Sequence, residues 1–291
     1  MSGRIKYVWT RGGLRITARK TLRTIKRYGI TPEKMCKKIE IYSNILRTYD
    51  ILATFFIPAK TLEENEKIIL KIQKDNIEYG AHGYVHIDYT SVDRDVQENH
   101  IRKMVEIFSQ YGIKEFGFRA PYGAINNSML DLLNRYNVKY DSSSVYLFEN
   151  ILKEFVLNIN LRNMLYKKAQ FNKITKYKKI VRIPFSLPDD EILVDKLNYG
   201  EREISKIWIR MLEEIERTNT YFILQLHPHR ITELKNALKN LLKEATDRNI
   251  KIMPLSEIEK LYSLSGGRLP KEPILSVTGD VDALRLGEFL K

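Results

Sequence analysis

Four of the five histidines fall in two short clusters, each directly after an apolar run. The first cluster holds His82 and His86, four residues apart, after the run that ends at Ala81. Two imidazoles at this spacing, straight after a strand, can converge on one metal ion. A polar loop in which one histidine bonds the backbone would show the same spacing. The pair is therefore a candidate metal site that needs a further ligand.

The second cluster, Leu224-Gln225-Leu226-His227-Pro228-His229, ends a strongly apolar run with a histidine. His227 is predicted to point into the site from a strand end, where it could act as a general acid. A structural histidine bonded within the protein is the alternative. The fifth histidine, His100, lies among polar residues of a predicted helix and is expected to be on the surface.

A third candidate is the turn Phe118-Arg119-Ala120-Pro121-Tyr122-Gly123. Pro121 fixes the local backbone and could aim the Tyr122 N–H at a ligand oxygen. Arg119 can hold a carboxylate with two parallel hydrogen bonds. An ordinary strand-to-turn junction would have a similar sequence.

Acids that could complete such a site come late in the chain, at the end of Ile274-Leu275-Ser276-Val277-Thr278-Gly279-Asp280-Val281-Asp282. Alternate residues of an extended chain point the same way, so Asp280 and Asp282 could face one site. The alternative is helix capping, in which Thr278 or Asp280 begins a helix over Val281–Leu290.

Short apolar runs that alternate with helical stretches predict the elements that position these side chains. The predicted strands are Leu52–Ile57, Ile77–Ala81, Phe116–Arg119, Val138–Asp141, Ile180–Pro184, Phe222–Leu226, Ile252–Leu255 and Ile274–Thr278, and the predicted helices are 33–48, 61–75, 93–111, 127–136, 201–218 and 231–247. This pattern predicts an α/β fold, a (β/α) barrel of seven or eight strands with its site at the carboxyl ends of the strands. Residues 146–179 form a long insertion, either a lid or an extra helical pair.

Composition sets limits on these interpretations. The chain has 291 residues, 43% of them hydrophobic, and one cysteine, Cys36. No apolar run approaches the roughly 18 residues that a membrane span needs, and the first residues lack the apolar core of a signal peptide. A single cysteine excludes an internal disulfide. We expect one cytoplasmic domain over residues 1–291.

The net charge of +13 is concentrated at the amino terminus. Residues 1–38 hold twelve Lys and Arg against one acid, whereas the remainder holds 37 basic and 35 acidic residues. Residues 1–32 are predicted to be a basic extension, with apolar residues at helical spacing. Such a segment could contact an anionic membrane surface, an anionic glycan or nucleic acid, or form a solvated helix packed on the barrel. The near-neutral remainder and the lack of interleaved aromatics argue against nucleic acid.

The order of H-x3-H, R-x-P-Y and L-x-L-H over residues 33–260 resembles the carbohydrate esterase 4 family, the NodB-like polysaccharide deacetylases. The segments Ala53–Ile57 and Tyr140-Asp141-Ser142-Ser143 match its style as well. The resemblance implies one divalent metal, most often Zn²⁺ but also Co²⁺, Ni²⁺ or Mn²⁺, bound by Asp-His-His, together with an aspartate base and a histidine acid.

The family roles then fall on particular residues by match. His82 and His86 become metal ligands, and His227 becomes the acid. Arg119 orients the base, while the Tyr122 backbone N–H, aimed by Pro121, helps to hold the oxyanion. Asp141, also a substrate-binding candidate, resembles the residue that precedes the family's fourth motif, although the tryptophan expected soon after it is absent.

The family's first motif, with its aspartates, is missing before Ala53, where Trp9-Thr10-Arg11-Gly12-Gly13 stands and no acid occurs until Glu33. A barrel is a ring, so its last strand lies beside its first. Chain ends are often close in space, which makes circular permutation tolerable. We therefore expect residues 272–291 to supply the first-motif strand, with Asp282 as metal ligand and Asp280 as base.

The function expected from this assignment is metal-dependent removal of an N-acyl group, such as acetyl, from an amino sugar in a glycan, sugar nucleotide or lipid-linked saccharide. Peripheral contact with an anionic membrane through residues 1–38 is also expected. A non-catalytic NodB-like barrel that binds a glycan or an anionic surface is the alternative, favoured if the carboxyl-terminal acids merely cap a helix.

Overall fold

The structure, a computed structural model, describes residues 27–66, 76–168 and 173–289. Its strands are β1 (Ala53–Ile57), β2 (Ile77–Ala81), β3 (Tyr140–Asp141), β4 (Val145–Leu147), β5 (Thr175–Tyr177), β6 (Ile180–Arg182), β7 (Phe185–Leu187), β8 (Tyr221–Gln225), β9 (Lys251–Ile252) and β10 (Ile274–Asp280). Its helices are α1 (Glu33–Thr48), α2 (Ala59–Glu64), α3 (Arg94–Gln110), α4 (Asn127–Arg135), α5 (Glu149–Phe155), α6 (Ile159–Lys168), α7 (Glu201–Thr218), α8 (Ile231–Asp247), α9 (Leu255–Leu264) and α10 (Leu286–Phe289).

Strand β10 lies in the middle of a parallel sheet of order β2-β1-β10-β8, with β9 beside the start of β10. Its backbone pairs Phe56 of β1 with Asp280, while Thr278 pairs with Gln225 of β8. All seven residues of β10 are buried, as expected for a parallel strand covered on both faces. Gly279 permits the close approach, because a Cβ there would lie 2.9 Å from the Leu226 carbonyl oxygen. The predicted parallel pairing of this late strand with the early strand at 52–57 is confirmed.

The sheet continues on the other side of β2 through Phe118, which bridges Ala81 and Asp141. Strand β3 then pairs with β6, and β4 pairs with β7. Strand β7 contacts β8 through a side chain, since the Ile223 N–H donates to Ser186 Oγ at 3.0 Å. Among the described residues, this bond and not a backbone ladder joins β7 to β8. The architecture is thus a barrel-like α/β fold.

The helices cover this sheet with apolar faces. Helix α7 buries six residues at helical spacing, Trp208 among them, and α8 buries seven. Helix α4 begins at an Asn126 cap, whose side chain accepts the Met129 N–H at 3.0 Å and so satisfies one of the free amides of the first turn. These helices hold the strand ends in register, and the strand ends carry the candidate site.

Most predicted elements are present with small shifts of their ends. The predicted strand at 116–119 is reduced to the single bridge at Phe118. The insertion at 146–179 contains the helical pair α5 and α6 between short strands, which was one of its two interpretations. Helix α2 ends at Glu64, so the predicted helix 61–75 extends beyond it into 67–75, which lie outside the described residues.

The basic extension at residues 1–26 also lies outside the described residues, so its amphipathic helix and its partners stay predictions. Within the described ranges, no helix is both long and apolar enough to cross a membrane. His100 is not a simple surface residue as expected. Its ring lies 5.2 Å from that of Tyr84 and 5.8 Å from that of Tyr89, and burial lowers its pKa.

Candidate active site

Two histidines and one aspartate converge at the carboxyl ends of β2 and β10. His82 Nε2 lies 3.7 Å from Asp282 Oδ1, and His86 Nε2 lies 3.1 Å from the same oxygen. Candidate ligand atoms of all three residues lie within 4.8 Å of one another, and within the described ranges this is the metal-compatible cluster of such side chains. The residues come from sequence positions two hundred apart, and β10 brings them together because it lies beside β1, next to β2.

The donor set fits a divalent metal. Two atoms each about 2.1 Å from a tetrahedral zinc ion lie roughly 3.4 Å apart, and the separations of 3.1 and 3.7 Å bracket that value. Burial raises the pKa of Asp282, but His86 and His82 outweigh it and hold that pKa well below its usual range. The carboxyl is therefore ionised, as a metal ligand must be.

The ring of His82 is oriented by a neutral backbone group. Its Nδ1 lies 2.7 Å from the Arg119 carbonyl oxygen, and because a carbonyl can only accept, Nδ1 carries the proton. Nε2 then keeps its lone pair and faces Asp282. Ligand histidines in metalloproteins characteristically donate their other N–H in this way.

Asp280 lies behind this cluster and is fixed by two donors. Arg119 Nη1 donates to Oδ1 at 2.9 Å, and Gln225 Nε2 donates to Oδ2 at 2.9 Å. Arg119 is itself 1% exposed, and its Nε donates to the Ser142 carbonyl oxygen at 3.0 Å. The structure thus places Arg119 on Asp280, the arrangement that was expected of an arginine orienting a base. Because the Arg119 carbonyl also holds His82, one residue links both parts of the site.

His227 is anchored by a buried carboxylate. Its Nδ1 lies 2.8 Å from Asp190 Oδ1, and its backbone N–H donates to Asp190 Oδ2 at 3.0 Å. Burial lowers the pKa of His227, but Asp190, with Glu191 and Asp282, outweighs it and raises that pKa well above its ordinary value. Burial likewise raises the pKa of Asp190, and His227 and Arg230 bring it below its usual range. In the His227–Asp190 pair, the proton therefore lies on the His227 imidazole.

Asp190 was not identified from the sequence. It stands in Leu187-Pro188-Asp189-Asp190-Glu191, directly after the buried strand β7. A signal was present, because three consecutive acids after an apolar run mark a strand end that enters a site. Asp189 has a separate role, since its side chain accepts the Ile192 N–H at 2.9 Å. Burial, with the Asp190 charge, raises the pKa of Asp189 to about 7.

The last residue of the second histidine cluster is enclosed. His229 is 4% exposed, and its Nε2 has no hydrogen-bond partner among the described residues. Burial, with the charges of His227 and Arg230, lowers its pKa well below the ordinary value. His229 is therefore neutral beside a histidine that is charged, and it shields one side of that residue.

The turn at Pro121–Gly123 forms another wall of the site. Tyr122 has φ of 61°, a left-handed conformation that is strained for a bulky residue and is found at functional turns. Its ring packs edge-on against His86 with centroids 4.9 Å apart, and the side chain is 58% exposed. Pro121 is buried and begins the turn. The structure thus brings Tyr122 to the metal-ligand cluster.

Asp141 does not extend into the site, and this corrects the expectation that it contacts substrate. Its side chain is fully buried, and its Oδ2 accepts from Arg182 Nε at 3.1 Å. Its Oδ1 accepts from the backbone N–H and the hydroxyl of Ser143. The Ser143 hydroxyl oxygen in turn accepts the Ala120 N–H at 2.8 Å. Asp141 therefore acts through Ser143 to fix the turn before Pro121.

Comparison with known proteins agrees with this geometry. Residues 36–140 match the family model described as Polysaccharide deacetylase, a range that contains His82, His86 and Arg119. Over 91 residues the chain is 33% identical to the peptidoglycan deacetylase-like protein FGM2 of Gibberella zeae, an alignment that covers 31% of this chain and 27% of that protein. Over 103 residues it is 28% identical to a peptidoglycan deacetylase of Helicobacter pylori, an alignment that covers 35% of this chain and 35% of that protein. The chain spans about a third of the length of these curated relatives.

The fold is shared more widely than the sequence. A solved structure from Mycobacterium smegmatis, described as a polysaccharide deacetylase, matches with a TM-score of 0.64 at 17% identity and covers 90% of this chain and 85% of that one. Residues 36–140 are thus similar in sequence to the polysaccharide deacetylase family, and the fold as a whole is similar to that of the solved structure.

Proposed function

We propose that the protein is a metal-dependent deacetylase that removes an N-acyl group from an amino sugar. One observation carries the proposal: Asp282 Oδ1, two residues past the end of β10, lies 3.1 Å from His86 Nε2 and 3.7 Å from His82 Nε2. This is the Asp-His-His donor set that the family resemblance implies, completed from the opposite end of the chain. The non-catalytic alternative was favoured by a helix-capping role for these acids, and β10 is instead a strand.

A divalent ion bound by these three residues would polarise the substrate amide carbonyl and lower the pKa of water toward roughly 7. Asp280 then accepts the proton of the attacking water, and its bonds to Arg119 and Gln225 hold the accepting oxygens in place. His227 donates its proton to the departing amine nitrogen. The raised pKa of His227 keeps that proton available at neutral pH.

We propose further that the chain is a circular permutation of the family's barrel. Strand β10 pairs with β1 in parallel and carries the only D-x-D in the sequence that follows a strand-like run. A strand moved from the front of the chain to its end can occupy the same place in a ring. The bond between β7 and β8 supports a closed ring as the arrangement of the strands.

The substrate we propose is an N-acetylated sugar in a glycan, a sugar nucleotide or a lipid-linked saccharide. The basic residues 1–38 favour a phosphate-bearing substrate or a site of action at the cytoplasmic face of an anionic membrane. The names of the two curated relatives denote peptidoglycan, which is also built from amino sugars.

The test is a pair of isosteric changes in the D-x-D segment. Asp280→Asn should retain the metal and abolish turnover, because an amide cannot take the proton of the water. Asp282→Asn should weaken metal binding itself, because it removes a charged ligand. Metal content by elemental analysis and acetate release from N-acetylglucosamine oligomers measure the two effects.

Asp247→Asn is the matched control, since Asp247 is an exposed acid paired with Lys243 on α8. It should leave both metal content and turnover unchanged. Full metal content in Asp282→Asn, or normal turnover in Asp280→Asn, would refute the assignment of these roles.

A further inference from the structure

A short strap at the amino-terminal end of the described chain, residues 27–29, crosses beside the site. Arg27 Nη2 donates to Asp195 Oδ2 at 2.7 Å. The Tyr28 hydroxyl donates to Asp282 Oδ2 at 3.3 Å. Gly29 bridges Arg285 and accepts the Leu286 N–H at 2.8 Å. The strap therefore contacts the carboxyl-terminal segment both at the proposed metal ligand and a few residues after it.

Asp282 needs such a contact because of where it lies in the chain. It stands two residues past the end of β10, beyond the last backbone bond to β1, which Val281 N–H donates to the Phe56 carbonyl oxygen at 2.8 Å. A carboxylate outside the ladder takes its orientation from the groups around it. Its Oδ1 faces His82 and His86, and its Oδ2 faces Tyr28.

We infer that Tyr28 is a positioning residue for the metal ligand Asp282, an inference that rests on the proposed function. The hydroxyl bond holds Oδ2 away from the two histidines and presents Oδ1 as a single ligand oxygen. Groups that bond the outer side of a ligand carboxylate typically change metal affinity by about 10- to 100-fold when removed. The bond length of 3.3 Å places Tyr28 at the lower end of that range.

The strap also explains how a displaced ligand strand can be held. In this chain the strand that carries both acids lies near one end, and the strap comes from the other end. Tyr28 is 2% exposed, and its ring lies 6.2 Å from that of His229, next to the proposed acid His227. Residues 27–29 thus contact the segment after β10 beside the site, and the Tyr28 hydroxyl makes the contact that orients Asp282.

The experiment compares Tyr28→Phe with the full-length wild-type protein. Phenylalanine keeps the buried ring and removes the hydroxyl alone. Zn²⁺ affinity, measured by competition with a chelator, should fall about 10-fold. The visible spectrum of the Co²⁺-loaded protein should change, because the ligand field depends on how Asp282 is oriented. The melting temperature of the metal-free protein should stay within about 2 °C of wild type.

Tyr49→Phe is the matched control. Its hydroxyl also donates over 3.3 Å, in an exposed contact from the residue directly after α1 to the Lys239 carbonyl oxygen of α8. It should bind Zn²⁺ like wild type. Unchanged Zn²⁺ affinity in Tyr28→Phe overturns the inference, and so does an affinity loss matched by an equal loss of stability in the metal-free protein. Asp282→Asn separates the two claims: if it too binds Zn²⁺ normally, the proposed metal site itself is wrong.

Discussion

His82 and His227 follow two strands of one sheet and are held by the same ring atom, yet their environments differ. His82 Nδ1 bonds a neutral carbonyl, that of Arg119, at 2.7 Å. His227 Nδ1 bonds a carboxylate, that of Asp190, at 2.8 Å. A neutral carbonyl fixes the tautomer, whereas a buried carboxylate also stabilises the imidazolium. The anchoring group therefore distinguishes the proposed metal ligand from the proposed proton donor.

The contrast extends to what surrounds each anchor. On the metal side, Arg119 bonds Asp280 and the Ser142 carbonyl, so its charge is directed at the proposed base. On the acid side, Arg230 Nε lies 3.2 Å from Asp190 Oδ2 and shares that carboxylate with His227. Each half of the site thus has one buried arginine. Arg119 donates to Asp280, the proposed base, and Arg230 forms an ion pair with Asp190, the carboxylate that holds the proposed acid His227.

The largest effect should come from removing each imidazole. His82→Ala should lose both metal and turnover, because it removes a ligand. His227→Ala should keep its metal and lose roughly 10²- to 10⁴-fold in turnover, the range typical of general acids. Asp247→Asn, a change of an exposed acid on α8, serves as the control and should alter neither. Loss of metal in His227→Ala would show that the two histidines do not have separate roles.

A smaller effect should follow from neutralising the anchor of His227. Burial lowers the pKa of His227, and the Asp190 charge raises it. Asp190→Asn therefore lowers that pKa. An acid works only below its pKa, so activity is lost as pH rises through it, and in Asp190→Asn the alkaline loss of kcat/KM should begin at lower pH. A pH–rate profile at saturating Zn²⁺ measures the shift, with metal content unchanged.

Asp189→Asn is the control for that change. The raised pKa of about 7 means that Asp189 carries only part of a charge at neutral pH, and an Asn oxygen can still accept the Ile192 N–H. The alkaline limb of the kcat/KM pH profile should therefore move less in Asp189→Asn than in Asp190→Asn. Equal shifts in the two variants would mean that general burial, and not the Asp190 contact, sets the proton affinity of His227.

Short sequence motifs indicated the part of the site whose residues lie close together in the sequence. His82 and His86 share one loop after β2, and Arg119 stands in the next strand-end turn, so spacing alone could suggest them. Asp280 and Asp282 were proposed because the family's first-motif aspartates are missing before Ala53 and a late apolar run ends in D-x-D, where alternation places both acids on one face. Their position beside β1 was expected from the barrel predicted for the family, which a motif by itself does not contain.

The failures have physical reasons too. Asp190 was missed because its role depends on how β7 packs beside β8, a contact made by the Ser186 hydroxyl and not by any repeated pattern. Asp141 was assigned to substrate binding because it resembles the residue that precedes the family's fourth motif, but Arg182 and Ser143 donate to its oxygens. The predicted strand at 116–119 shrank to a bridge at Phe118. Strand ends mark candidates, and only burial and partners decide which of them face a ligand.

The smallest predicted effect on activity distinguishes Arg230 from Arg27. It is a shift of the alkaline limb of kcat/KM in the direction opposite to that expected for Asp190→Asn. Arg230 Nη2 also contacts Asp195 Oδ2 at 2.6 Å, so it lies between two acids and competes with His227 for Asp190. Arg230→Gln removes a positive charge near His227, which should raise the pKa of His227. The alkaline loss of kcat/KM should therefore begin at higher pH, and turnover should change less than about tenfold. The free energy of unfolding should fall by roughly 3–5 kcal/mol, because a buried ion pair loses one partner. The pH profile is therefore recorded at a temperature where circular dichroism shows the variant folded.

Arg27→Gln is the control, because it removes the other cation on Asp195 without changing the contacts of Asp190. It should leave the alkaline limb of kcat/KM in place. A shift of the limb to lower pH in Arg230→Gln would mean that Arg230 holds Asp190 in position for His227 and does not compete for its charge.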